Sequence, residues 1–500
     1  MDWKARLEHE LVAVYGPERD APLARQLAVR AERQRHRAGP DGFDDPAEAL
    51  LITYADQLTR PGESPLSVLR RFLSRRARGL VSGIHLLPFY PWSSDDGFSV
   101  KDFSAVDPAM GTWDDVRAFG PEFALMVDAV FNHASVQGEW FARFRNGTGG
   151  FGEFFVTVEG NPDLSAVVRP RALPLLAEFP TARGPRRVWT TFSADQADLN
   201  FREPDVMRTL SELLLFYLAQ GARYIRLDAI GFIWKEPGTP CLHLPQAHAL
   251  VRAWRALAGG AAPGARLVTE TNVPHADNVS YFGDGHNEAH MVYNFALPPL
   301  VLHTLRTGDA TALTRWASGL AAPSRDTTFF NFLASHDGIG LNPVRGLLSA
   351  EDIAALVTLA LQAGGRAGLK VMPDGSQAPS ELNVNYFDAL AAGHDAIAAS
   401  SRPRRDSLSW NADTPAKACF ASTKFPDAVR SMPDKSSSLT RRAGLPRSSE
   451  SSTQGGPIAV APRMQMPGSH PGSARRDEVI VDPIADHHDV AWRPTPRGQT

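Results

Sequence analysis

The stretch ARYIRLDAIGF, residues 222–232, decides the fold. Tyr224, Ile225, Leu227, Ala229, Ile230 and Phe232 make it read as a buried strand, yet Arg226 and Asp228 set two charges inside it. A buried charge without a partner costs several kcal/mol or more, so those two need partners and a purpose. Six further apolar runs flank this one: ALLITYAD (49–56), VSGIHLLPFY (81–90), FALMVDAVFNH (123–133), ARLVTETN (265–272), HMVYNF (290–295) and TFFNFLASHD (328–337). Amphipathic helices fall between them, including 204–221 and 244–260, with Gly221 and Gly259 suited to their ends. This is the βαβα rhythm of a parallel sheet.

Several of the runs end in polar residues: Asp128, Asn132 and His133; Arg226 and Asp228; Glu270 and Asn272; His336 and Asp337. Polar groups collected at the carboxyl ends of parallel strands are where a (β/α)8 barrel, an α/β fold of TIM type, keeps its active site. The pattern divides the chain into an N-terminal helical segment (1–45), a first barrel part (46–133), an inserted small domain after the third strand (134–200), a second barrel part (201–390) and a tail (391–500). The tail is rich in Ser, Pro, Arg and Gly with little apolar periodicity, the composition of disorder. Seven strand candidates precede it, so an eighth strand is expected to be missing, leaving two parallel edges unpaired.

Composition narrows the partners. With 43% hydrophobic and 21% charged residues and a formal net charge of −3, the chain carries no electrostatic footprint for nucleic acid or an anionic membrane. Cys241 and Cys419 show no disulfide or CxxC spacing, and no metal-ligand pattern is present. The start lacks the apolar core of a signal peptide, and no run of about 18 apolar residues follows, so the expected location is cytoplasmic. The sequence leaves oligomeric state open.

Four segments, DAVFNH (128–133), IRLDAI (225–230), VTETNVP (268–274) and FLASHD (332–337), resemble glycoside hydrolase family 13, the α-amylase superfamily, over roughly residues 45–390. The resemblance implies Asp228 as nucleophile, Glu270 as general acid/base and Asp337 as transition-state stabiliser. By the same resemblance, His133 and His336 contact sugar hydroxyls, and Arg226 keeps Asp228 ionised. The segments 86–103, 196–201, 231–248 and 272–295 look like the sucrose phosphorylase subfamily, especially its glucosylglycerate and sucrose 6′-phosphate phosphorylase branch. That likeness implies Asp95 closing the glucose subsite, Phe98 as an apolar wall and 373–390 as a mobile loop. It further implies no cofactor or metal, with inorganic phosphate as co-substrate beside a small-molecule α-glucoside. The family continues into an eighth strand and a β-rich C-terminal domain; the Ser/Pro/Arg-rich tail departs from this as a shifted reading frame would.

Plainer readings exist for each residue. Arg226 and Asp228 alone would be a structural ion pair, His133 alone a core histidine, and Asp95 and Asp96 turn-forming acids before Gly97. Carboxylates at three separate strand ends displace the first of these. Two rival functions stay open: an α-glucosidase or transglucosidase of the same superfamily, and an inactive product of a disrupted gene. The leaving group is open among glycerate, fructose and fructose phosphate.

Overall fold

The computed structural model describes residues 2–39, 48–371 and 377–391, and the backbone of three later strands, Cys419–Ser422, Val479–Val481 and Val490–Trp492. The seven apolar runs are seven parallel strands: β1 (Ala49–Thr53), β2 (Gly83–Leu86), β3 (Ala124–Ala129), β4 (Ala222–Leu227), β5 (Arg266–Thr269), β6 (Met291–Tyr293) and β7 (Thr328–Phe332). Each pairs with its neighbour in chain order, so the sheet curls into a barrel wall. Alternation along each strand sorts the side chains. Tyr224 joins Leu50, Met126, Val268, Met291 and Phe330 in the barrel interior, whereas Ile225 and Leu227 face the larger apolar layer under the helices. Arg226 lies on the Tyr224 face and therefore points inward.

An eighth parallel strand is not found among the described residues. Its place is taken by Cys419–Ser422, which pairs antiparallel with β1 (Ala49 to Ile52) and with Asn331 and Phe332 of β7. The two edges expected to stand open are therefore both paired. A four-residue run within a polar tail is too short to register in any periodic pattern, so periodicity could not reveal it. Most of 391–500, where disorder was expected, lies outside the described residues.

Helices α1 (Trp3–Tyr15) and α2 (Pro17–Arg33) form a hairpin at the N-terminus; α3 (Pro65–Arg76), α4 (Pro204–Ala219) and α5 (Pro245–Ala261) follow β1, precede β4 and follow β4. The last three open with proline in the first turn, where no N–H is needed. Trp254 of α5 is fully buried and donates its indole N–H to Ser211 of α4 at 3.0 Å, locking the two helices. Gly221 does follow the end of α4, at φ +96°. Gly259 does not end α5, which continues to Ala261. The neighbouring Gly260 has another role, since a Cβ there would lie 2.4 Å from the Trp3 ring: glycine lets α1 approach.

Between β3 and α4 the segment 134–200 carries an antiparallel sheet of Thr157–Val158, Gly184–Trp189 and Leu176–Thr181, in that order, and the pair His133–Ser135 with Gln196–Asp198. Of 373–390, expected as a mobile loop, residues 377–390 hold the strand Gln377–Asn383, paired with Arg366–Val371, and most of the short helix Tyr386–Ala391. The part 373–376 of that loop lies outside the described residues. No helix among the described residues is long and apolar enough to cross a membrane.

Candidate active site

Arg226 answers the question posed by its strand. Its Nη1 donates to Asp128 Oδ1 on β3 at 2.7 Å and to Asp228 Oδ1 at 2.8 Å, so one buried guanidinium ties together the carboxylates of two neighbouring strands. The parallel register places Arg226 opposite Asp128, which is why the pair forms. His85 Nε2 on β2 meets the other Asp128 oxygen at 2.8 Å. The guanidinium also lies 5.6 Å from the ring centroids of both Phe98 and Tyr293, held between aromatic faces.

Around this core the sequence-predicted residues converge. Glu270 follows β5, and its Oε2 accepts from the Ala229 N–H at 2.9 Å, with Ala229 at φ +49°. Asp337, half exposed beyond β7, stands 3.9 Å from Arg226 and 3.3 Å from His336 Nε2. His336 stacks on Phe98 at 5.1 Å and 7°. His133 Nε2 donates to the Phe98 carbonyl at 2.8 Å while Asn132 donates to His133 Nδ1 at 3.2 Å, both satisfied by one tautomer. Asp95 lies further out on the 93–99 loop, where Gln196 Nε2 reaches it at 2.9 Å and Arg171 at 3.1 Å. Asp228, Glu270, Asp337, Arg226, Phe98 and His336 thus surround one centre, and His133 and Asp95 border it.

Sequence reasoning missed five contributors. His85 interrupts an apolar strand as Arg226 does, and the same argument would have found it. Tyr293, Gln196 and Arg171 gave no such signal, because their partners come from segments distant in sequence. Lys235 forms a buried pair with Asp198 at 2.5 Å and donates to Asn132 Oδ1 at 2.8 Å, bracing the residue that orients His133. Among the described residues no group of three or more His, Cys, Asp or Glu could hold a metal ion.

The α-amylase catalytic domain model matches residues 79–338. The chain is 53% identical over 387 residues to a glucosylglycerate phosphorylase of Allomeiothermus silvanus, covering 77% of this chain and 69% of that protein. It is 47% identical over 398 residues to a glucosylglycerate phosphorylase of Escherichia coli K12, covering 78% and 70%. This chain belongs to the α-amylase family. A crystal structure of sucrose 6F-phosphate phosphorylase from Thermoanaerobacter thermosaccharolyticum superposes with a TM-score of 0.62 at 25% identity, over 71% of this chain and 74% of that one. A sucrose phosphorylase of Agrobacterium vitis is more distant, 32% identical over 69% of this chain and 72% of its own length.

The electrostatics of this α-amylase-family centre separate its carboxylates. Burial pushes Asp128 up, but His85 and Arg226 more than offset it and hold the group down at about 2. Glu270 is pushed up to about 7, by burial first and then by Asp228 and Asp337, against the opposing pull of Arg226 and the Ala229 N–H. Burial also raises Asp228, while Arg226 and His133 pull it back. Asp228 and Glu270 compete for one proton, and geometry decides which keeps it. Asp228 receives a guanidinium hydrogen bond; Glu270 receives only a neutral amide. The ionised member is therefore Asp228. His336 is driven down to about 4 by burial despite Asp337, and is neutral at pH 7.

Proposed function

We propose that the chain is a retaining α-glucoside phosphorylase that works by double displacement. Asp228 attacks the anomeric carbon, the glycosidic C–O bond breaks, and Glu270 gives its proton to the leaving oxygen. A phosphate oxygen then attacks the same carbon, the ester to Asp228 breaks, and the phosphate proton passes to Glu270, leaving α-glucose 1-phosphate. Asp337 accepts from sugar hydroxyls beside the positive charge that develops at the ring. Arg226, Phe98 and His336 shape the glucose subsite and Asp95 accepts at its rim, while His133, expected to contact sugar hydroxyls, has both ring nitrogens engaged by the Phe98 carbonyl and Asn132 and braces the Phe98 wall instead. No metal or organic cofactor enters these steps. Segment 134–200 acts as a small domain walling the site, since Arg171 reaches Asp95 from it.

The observation that carries the reading is the asymmetry between the two carboxylates: one held ionised by Arg226, the other pushed up to about 7. The names of the relatives support phosphate as the second substrate and glucosylglycerate as the first, because the glucosylglycerate phosphorylases are 47–53% identical and the sucrose phosphorylases 30–32%. Two cysteines without disulfide or CxxC spacing support a cytoplasmic setting. The test is release of α-glucose 1-phosphate from glucosylglycerate, sucrose and sucrose 6′-phosphate, each with and without inorganic phosphate. Phosphate-dependent release from glucosylglycerate is expected. Free glucose at an equal rate without phosphate would make the enzyme a hydrolase; no product from any substrate would favour an inactive chain.

A further inference from the structure

Resting on the reading that Asp95 and Phe98 border the glucose subsite, we infer that Asp195 is a positioning residue that holds the loop presenting both. Its Oδ2 accepts from Ser93 Oγ (2.6 Å), Ser94 Oγ and Ser99 Oγ (2.8 Å). Its Oδ1 accepts from Ser135 Oγ (3.3 Å) and Gln137 Nε2 (3.5 Å). Ser93 and Ser94 enter the 95–98 turn and Ser99 leaves it, so a single carboxylate fastens both stems. Ser135, at the base of the inserted segment, anchors that carboxylate in turn.

The turn needs such fastening. Asp95, Asp96 and Gly97 stand at φ +57°, +50° and +103°, three consecutive residues in the left-handed half of conformational space, two of them bearing a Cβ. A segment in that state persists only where its surroundings over-determine it. Gln196, the residue after Asp195, donates to Asp95 Oδ2 at 2.9 Å and to the Phe98 carbonyl at 3.3 Å. The position of Asp195 therefore also sets the group that aims Asp95. Chemistry explains the choice of residue: an ionised carboxylate only accepts and offers about four lone-pair sites, enough for a cluster of hydroxyl donors. Its side-chain partners are Ser93, Ser94, Ser99, Ser135 and Gln137 and not Asp228, Glu270 or Asp337, so it acts through the loop and not on the reacting atoms.

The test is a double-mutant cycle read by D-glucose binding to the full chain, using ligand-observed NMR. The proteins are the unmodified chain, Asp195→Ala, Asp195→Asn, Asp95→Ala and the double variant Asp95→Ala with Asp195→Ala. Asp195→Ala is expected to weaken glucose about tenfold or more alone and about threefold or less once Asp95 is alanine, the non-additivity of residues acting in series. Asp195→Asn keeps one acceptor oxygen and should restore part of the affinity. Equal weakening in both backgrounds, or unchanged affinity in Asp195→Ala, overturns the inference; lowered thermal stability without non-additivity does the same. If Asp195→Ala fails to fold, the cycle is run with Asp195→Asn under the same criteria. Glucose binding needs neither phosphate nor turnover, so a chain that releases no α-glucose 1-phosphate still tests Asp195. Absence of glucose binding by the unmodified chain would overturn the subsite reading, and this inference with it.

Discussion

Arg226 shows how much one side chain can fix. Removing Arg226 would leave the buried carboxylates of Asp128 and Asp228 uncompensated, at a cost of about 3–5 kcal/mol, whereas neutralising Asp228 leaves Arg226 still paired with Asp128. The nucleophile assignment is tested by Asp228→Asn, which keeps the shape and loses the charge. We expect glucosyl transfer to fall at least about 10⁴-fold with thermal unfolding little changed; α-glucose 1-phosphate release measures the first and calorimetry the second. Near-parental turnover would remove Asp228 from the mechanism. The pH dependence belongs to Glu270. As a proton donor raised to about 7, it is loaded below that value and unloaded above it. Single-turnover formation of the glucosyl-enzyme should therefore decline as pH rises through about 7, approaching tenfold per unit at higher pH. Glu270→Gln should flatten that limb, and a limb that persists in the variant belongs to another group. At this scale the sequence was legible for Asp228, Glu270, Asp337 and Arg226, because charged residues in apolar runs demand explanation. It was silent on Arg171 and Gln196, whose meaning comes from Asp95, about a hundred and fewer residues away in the chain.

Among the elements, the 93–99 loop places three consecutive residues, Asp95, Asp96 and Gly97, at positive φ. Left-handed Asp95 and Asp96 each cost about 1–3 kcal/mol, offset by the serine bonds to Asp195 and by packing of Gly97 against Pro88. A Cβ on Gly97 would sit 2.8 Å from the Pro88 carbonyl, at a φ of +103°. Gly97→Ala should accordingly lower stability by about 1–3 kcal/mol and weaken glucose binding, seen together in denaturant unfolding and a glucose titration. Unchanged binding would mean that the loop does not shape the subsite. The sequence marks this turn by its Asp-Asp-Gly composition, but the serine cluster around Asp195 is visible only once Ser135 is brought beside Ser93. Helix ends were read in the same mixed way. Gly221 ends α4 for the reason expected, whereas Gly260 of α5 answers to Trp3 on a helix more than two hundred residues earlier.

For the whole molecule, barrel closure is the question. Seven parallel strands leave β1 and β7 with unpaired edges, and the antiparallel Cys419–Ser422 pairs with both. Deleting residues 391–500 should uncover two parallel edges and convert a monodisperse preparation into an aggregating one, followed by light scattering and thermal unfolding. A deletion variant as stable and monodisperse as the full chain would show that this pairing contributes little. The N-terminal hairpin is a second whole-molecule contact. Replacing Gly260 by leucine would force the Trp3 ring off α5, and the expected result is a lower melting temperature with glucose binding intact.

What the sequence determined by itself was the class of fold and the carboxylates that meet at the candidate active site. Strand periodicity, apolar runs and charges at strand ends are local properties, and burying a charge is so costly that Arg226 and Asp228 stood out in their strand as needing partners. The tertiary structure supplied the physical reason for separating the two carboxylates, with Arg226 bonding Asp228 and not Glu270. It also decided how the barrel closes and what holds Asp95 in place. Those outcomes rest on distances between residues far apart in the chain, and electrostatic and hydrogen-bond energies are set by distance and direction, which composition and spacing do not contain.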